Sequence, residues 1–366
     1  MRIFVFGSSL LSSYWNGAAT YYRGIYKNLA AQGCEVTFAE PDIYGRQQHR
    51  DPGDYSFAKS IVYRTPEDID WLLRLACDAD LVIKHSGVGA ADALLERRVL
   101  DCRGPRRRVI FWDVDAPATL ASVEHDPHNP FRSCIPEYDF IFTYGGGPPV
   151  IERYQKLGAS NCHPIYNALE PESHKPELPD PKLACDLVFV GNRLPDREKR
   201  VEHFFFRAAE LAPECKFILG GEGWGDKSLP PNVRWIGHVR TSDHNRVNCS
   251  ARMALNINRE SMADVGFSPP TRVFEAAGAG SCLITDAWQG IECFFEPGKE
   301  ILVASTPDEI VHLLRTVSAR KARQIGEAMR VRALREHLYA QRARQAMEIL
   351  GNIGERREGQ ELRRAV

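Results

Sequence analysis

The chain is 366 residues long, 43% hydrophobic and 26% charged, and its 47 basic and 48 acidic side chains leave a net charge of −1. This composition excludes a disordered chain, a collagen-like repeat and a coiled-coil rod. Near-neutrality leaves no global field to attract nucleic acid, and the length favours two domains.

Residues 3–6 form a continuous apolar run closed by Gly7, the pattern of a strand buried on both faces. Ala18, Tyr22, Ile25 and Leu29 then repeat at helical spacing. They predict a helix over 17–32, with Asn16 as N-cap and Gly33 as its stop. Strands are predicted at 35–39, 81–83, 109–112 and 140–142, and a helix opens at Pro66 and reaches about Cys77. Four prolines in the polar stretch 167–183 mark a linker. Beyond it, strands are predicted at 187–190, 217–219, 233–236, 254–257, 282–285 and 301–303, and helices at 197–210 and 270–279. Most of 307–350 reads as helix, and the charged, poorly periodic 351–366 is expected to fray.

Strand–helix alternation on both sides of a linker predicts an α/β protein of two Rossmann-like domains, each with a parallel sheet, facing an interdomain cleft. Ligands in such folds bind outside the carboxyl ends of the strands. Glycine, small polar and charged residues collect at those ends, as in Gly191-Asn192-Arg193 and Gly220-Gly221-Glu222. The ten cysteines contain no C-x-x-C pair. No run reaches 18 apolar residues and the N-terminus has no signal-peptide pattern, so a reducing cytoplasm is the expected compartment.

The sharpest stretch is Pro269-Pro270-Thr271-Arg272-Val273-Phe274-Glu275-Ala276-Ala277-Gly278-Ala279-Gly280, preceded by Asn256-Ile257-Asn258-Arg259. It resembles the sugar-nucleotide-binding domain of GT-B glycosyltransferases, in particular the CgeB-like (spore-maturation type) family. Trp15-Asn16-Gly17-Ala18 and His337-x-Tyr339 extend the resemblance over nearly the whole chain. The resemblance implies an acceptor-side domain over 1–168 and a nucleotide-sugar domain over 169–337. A helix over about 338–352 is expected to pack back on the first domain, and 353–366 to be a charged tail. It also implies transfer of a sugar from a nucleoside-diphosphate sugar to an acceptor (a glycan, a lipid-linked or a small molecule) with no cofactor and no metal. Two rival activities are a sugar-nucleotide epimerase or hydrolase of the same fold, and a sugar-nucleotide-binding protein without catalysis.

In that family Glu275 would hold the donor ribose, since a carboxylate suits two vicinal hydroxyls. The helix starting near Pro270 and Thr271 would aim free N–H groups at the diphosphate. Arg272, Arg259 and Arg193 would add charge, and Gly191, Asn192, Gly221, Gly237 and His238 would bring backbone close to the ligand.

Two departures bear on chemistry. The glutamate that many retaining relatives carry eight positions before the ribose glutamate is Phe267 here, and the histidine often found after Asn-Gly in the first loop is Ala18. A general base must then come from elsewhere. Asp115, just past a strand and before Ala116-Pro117, is the first candidate, with His85 the second and Asp113 the third. Asp113-Val114-Asp115 also spells D-x-D, a weak metal signal. The basic stretch 315–344 reads as a solvated helical face or as a contact for an anionic membrane.

Overall fold

In the computed structural model, which describes residues 1–364, the chain forms two parallel sheets. The first contains β1 (Arg2–Phe6), β2 (Glu35–Pro41), β3 (Ala58–Tyr63), β4 (Leu81–His85), β5 (Arg108–Asp113), β6 (Phe140–Thr143) and β7 (Cys162–Pro164), in spatial order β3-β2-β1-β4-β5-β6-β7. The second contains β8 (Cys185–Val190), β9 (Phe217–Gly220), β10 (Val233–Trp235), β11 (Ala251–Asn256), β12 (Leu283–Asp286) and β13 (Leu302–Ala304), in order β10-β9-β8-β11-β12-β13. Each sheet is covered on both faces, so each half has two apolar clusters. Central strands such as β1, β4 and β8 are the continuous apolar runs of the sequence, because they face packed helices above and below.

The strands that sequence patterning overlooks are β3 and β7. Both are edge strands. β3 mixes buried Ala58 and Tyr63 with exposed Lys59, and β7 is three residues ending in proline. Edges are kept short and polar to prevent open pairing, and that removes the periodic signal. The helix predicted over 197–210 is also interrupted. Regular turns over Pro195–Val201 and Arg207–Leu211 flank a π-helical turn over Glu202–Phe206. The wider turn lets Phe204, Phe205 and Phe206, three consecutive bulky side chains, all be buried.

The chain crosses between the halves twice, and the crossings pair. Leu169 N–H donates to the His337 carbonyl (2.7 Å), and Tyr339 N–H donates to that of Leu169 (3.1 Å). The helix Tyr339–Arg364 then lies against Ala19–Ala31 on the first half, with Tyr339, Ala343 and Ala346 in its core. Gly24 permits this approach, since a Cβ there would stand 2.2 Å from the Tyr339 ring. This final helix continues to Arg364 where the sequence suggested fraying; Ala365 and Val366 lie outside the described residues. The basic stretch 315–344 is not one free face. Arg315 pairs with Glu214, Arg332 and Arg335 pair with Glu336, and Arg342 donates to the His337 ring. Among the described residues no helix is long and apolar enough to cross a membrane.

Candidate active site

The carboxyl ends of β1, β4 and β5 face those of β8 and β9 across a cavity of about 570 Å³. From the first half it is lined by Ser8, Asn16, Ser86, Asp115 and Tyr144, and from the second by Gly191, Arg197, Arg259, Arg272 and Glu275, among others.

The second half supplies most of the charge. Glu275 sits on the helix Thr271–Ala279, which has no side-chain cap at its extended N-cap Pro270, so its first N–H groups are open to the cavity. Glu275 is 7% exposed, and its Oε2 is 3.2 Å from Nδ1 of His244, on the helix Thr241–Ser250. Burial opposes its charge, but His244, His174 and Arg272 more than offset that and hold the carboxyl at about 2. The same contact raises the His244 imidazole against the pull of burial.

Arg272 donates from Nε to the Val190 carbonyl (2.6 Å) and from Nη1 to Asn256 Oδ1 (2.8 Å), and lies over the Phe189 ring. These bonds fix the guanidinium where its remaining N–H groups meet Gly191. A Cβ at Gly191 would stand 3.0 Å from Arg272 Nη2 and 3.2 Å from Arg197 Nη1, so this glycine makes room for both cations. Gly221 is equally constrained, with φ +120° and no space before the Gly191 carbonyl.

Arg197 is a site residue that the sequence did not reveal. Asp196-Arg197-Glu198-Lys199-Arg200 has the pattern of a solvated helix, and only folding turns Arg197 inward. Burial, Arg272 and Arg259 pull its guanidinium down to about 9, and its Nε is buried without a partner. A desolvated cation beside two others, with an unused donor, is a site prepared for an anion.

Across the cavity, Asp115 Oδ2 accepts from Arg259 Nη1 at 2.6 Å, and Arg259 Nε also donates to Asp196. This is an ion pair between the two halves. The other Asp115 oxygen, Oδ1, is buried with no hydrogen-bond partner. The first loop is held by Asn16, whose Nδ2 donates to the Ser9 (2.8 Å) and Ser12 (3.0 Å) carbonyls. It presents Trp15, 44% exposed with a left-handed φ of +48°, at the cavity wall.

Residues 197–348 match the family model described as "Glycosyl transferase-like". The fold of the whole chain matches solved GT-B structures. Sucrose-phosphate synthase from Thermosynechococcus elongatus superposes with a TM-score of 0.66 at 13% identity, over 96% of this chain and 99% of the other. Anabaena HepE, solved with UDP and glucose, gives 0.69 at 12% identity over 95% and 98%. AviGT4, a glycosyltransferase involved in avilamycin A biosynthesis, gives 0.61 at 17% identity over 97% and 98%. No curated protein sequence matches the chain. The likenesses establish the fold, and the family model covers part of the second half and of the final helix. The chain has the GT-B fold, and its second half matches a glycosyltransferase-like family model.

Within this fold the sequence-derived candidates separate clearly. Asp115, Gly191, Asn192, Gly221, His238, Arg259, Pro270, Thr271, Arg272 and Glu275 all line the cavity. Gly237 sits behind it, its carbonyl accepting from Gly221 N–H at 2.7 Å. Arg193 is occupied by Glu198 (2.7 Å) and Asp226 (2.8 Å) and does not line the cavity. Arg197, one helical turn on, takes the place expected for Arg193.

His85 is not placed to act as a base. It is 1% exposed, bonded to the Tyr26 hydroxyl (2.5 Å) and the Trp112 carbonyl (3.0 Å), and burial pulls its imidazole down to about 3. Asp113 is fully buried and accepts from Ser86 (2.7 Å), Thr119 (3.1 Å), Tyr154 (2.5 Å) and the Asp115 N–H (2.8 Å). It builds the loop that carries Asp115. Asp113 and Asp115 therefore diverge, and the D-x-D reading loses its geometry. Among the described residues one metal-capable cluster exists, formed by His174, His244 and Glu275. Phe267 adopts a left-handed φ of +47° at the joint between halves, where its carbonyl accepts from Gly146 N–H (2.9 Å). Phe267 thus serves as a contact between the halves.

Proposed function

We propose that this protein is a glycosyltransferase of CgeB-like type, that it takes its sugar from a nucleoside-diphosphate donor held mainly by the second half, and that turnover needs no metal. Glu275 accepts hydrogen bonds from the two ribose hydroxyls. Arg197, Arg272 and the N–H groups at Thr271 receive the diphosphate, and HepE, solved with UDP and glucose, shows the same fold carrying such a ligand.

The acceptor enters from the first half, over Trp15 and Asn16. Asp115 removes the proton from its hydroxyl as that oxygen bonds to the anomeric carbon. The carbon–oxygen bond to the diphosphate breaks, and the negative charge developing there falls on Arg197 and Arg272. Arg259 holds Asp115 toward the cavity, and its release frees Oδ2 for the proton.

The observation that carries this reading is the convergence of Arg197 and Arg272 over Gly191, in one cavity with buried, ionised Glu275. The test is calorimetric titration with UDP, GDP, dTDP and ADP, each with EDTA present. Binding of one diphosphate, retained in EDTA and lost in Glu275→Ala, is the expected result. Absence of binding to all four would sink the donor assignment. Donor breakdown that proceeds equally without any acceptor would instead point to a hydrolase or epimerase.

A further inference from the structure

The cluster around Glu275 contains more than a ribose site needs. His174 belongs to the linker that follows the Leu169 crossing, and its backbone N–H donates to the Glu170 carbonyl (2.9 Å). The linker lies so close to the helix Thr271–Ala279 that a Cβ on Gly278 would stand 2.5 Å from the His174 carbonyl oxygen. His174 is 2% exposed, and its Nε2 is buried without a hydrogen-bond partner. Its ring lies 6.2 Å from that of His244, centroid to centroid. One ligand atom from each of His174, His244 and Glu275 lies within 4.8 Å of the others. A buried imidazole nitrogen left unmatched is costly unless something binds it.

We propose that His174, His244 and Glu275 form a binding site for one zinc-class divalent ion, and that its occupancy competes with the nucleotide donor.

Two imidazoles and a carboxylate are a ligand set for Zn²⁺, Co²⁺ or Ni²⁺. Mg²⁺ and Ca²⁺ prefer all-oxygen shells and are not suited to it. Four-coordinate zinc, with bonds of about 2.0–2.2 Å, holds its ligand atoms roughly 3.4 Å apart. The present spacing of up to 4.8 Å is wider, so the side chains draw inward by rotation when the ion binds. The fourth position would be water. An entry path exists, because His174 also lines a second cavity of about 600 Å³, bounded by Arg23, Tyr55, Glu170 and Thr241. His244 and Glu275 line the donor cavity, so the cluster forms part of the wall between the two. A bound ion would withdraw the Glu275 carboxylate from the ribose. This competition, unlike the metal site itself, rests on the donor reading given above.

The experiment uses the full chain, stripped with EDTA, desalted and titrated with Co²⁺. One equivalent should bind with visible d–d absorption, and Zn²⁺ should displace it. His174→Gln should weaken Co²⁺ binding at least about tenfold while changing diphosphate binding in EDTA less than about threefold, because His174 does not line the donor cavity and His244 and Arg272 still face Glu275. No absorption change at millimolar Co²⁺, or equal affinity in His174→Gln, would overturn the site. If that variant does not fold, paramagnetically shifted imidazole N–H signals of the Co²⁺-loaded parent decide: two rings support the site, and fewer refute it. UDP or the preferred diphosphate should raise the apparent Co²⁺ dissociation constant. If Co²⁺ binds through His174 yet no diphosphate affects it, the metal site stands and the competition falls.

Discussion

The two halves share an architecture but contribute unequal chemistry to the cavity. The second half brings Arg197, Arg259, Arg272, His244 and Glu275, much of this held by hydrogen bonds and ion pairs before any ligand arrives. The first half brings mainly backbone, hydroxyl, amide and aromatic groups, with Asp115 and Arg46 its charged lining residues. A charged, invariant ligand such as a diphosphate is met best by fixed charges. A neutral hydroxylated acceptor is met by loops whose shape can differ between enzymes.

The strongest test of this division is Asp115→Asn. It should lower kcat by about 10²- to 10⁴-fold while diphosphate affinity, measured by calorimetry, stays within a few-fold. A comparable loss of diphosphate affinity would mean the halves do not divide the work this way. Glu275→Ala should act in the opposite manner, weakening diphosphate-nucleoside binding by roughly 100-fold through loss of charged hydrogen bonds to the ribose. An unchanged dissociation constant would remove Glu275 from the donor site.

The joint between the halves has its own test. His337 Nε2 donates to the Phe294 carbonyl (2.9 Å) and its Nδ1 accepts from Arg342, so the folded state requires the neutral ring. Burial first, then Arg342, lowers its imidazole to about 4. A folded-state value below the ordinary 6.5 means that the unfolded chain binds the extra proton. This contribution is therefore fully present above about pH 6.5 and is lost as pH falls toward 4, by on the order of 3 kcal/mol. His337→Gln should flatten that part of the curve of unfolding midpoint against pH, and an identical slope in both proteins would exclude His337 as its source.

The smallest effect compares two arginines four residues apart. Arg197→Met should weaken diphosphate binding about tenfold, whereas Arg193→Met, which breaks ion pairs with Glu198 and Asp226 and a hydrogen bond to the Gly223 carbonyl outside the cavity, should change it less than about twofold. The reverse order would restore Arg193 to the site.

How much of this was legible depends on where each residue sits. β1, β4, β8 and β11 are strongly apolar and buried, and were readable in type and approximate position. β3 and β7 were not, because β3 mixes buried and exposed side chains without a clear period and β7 is only three residues ending in proline. Glu275, Arg272 and Asp115 could be singled out because they stand at strand ends or in a dense local motif. Arg197 and His244 could not, since each lies in a polar helical stretch whose inward face is chosen by packing. His85 and Asp113 show the converse error. Their positions after apolar strands suggested the cleft, yet the side chains turn into the core, where Tyr26, Trp112, Ser86 and Tyr154 satisfy them.

The sequence by itself determined the α/β class, the linker at 167–183 and the strand ends at which ligand-binding residues collect, because each is written in local periodicity, proline and glycine. Tertiary structure alone decided which of two neighbouring arginines enters the cavity, how Asp115 meets Arg259 across the halves, and how His174 from the linker comes to stand beside Glu275. Those choices depend on burial and on partners far away in the chain, and no local pattern encodes them.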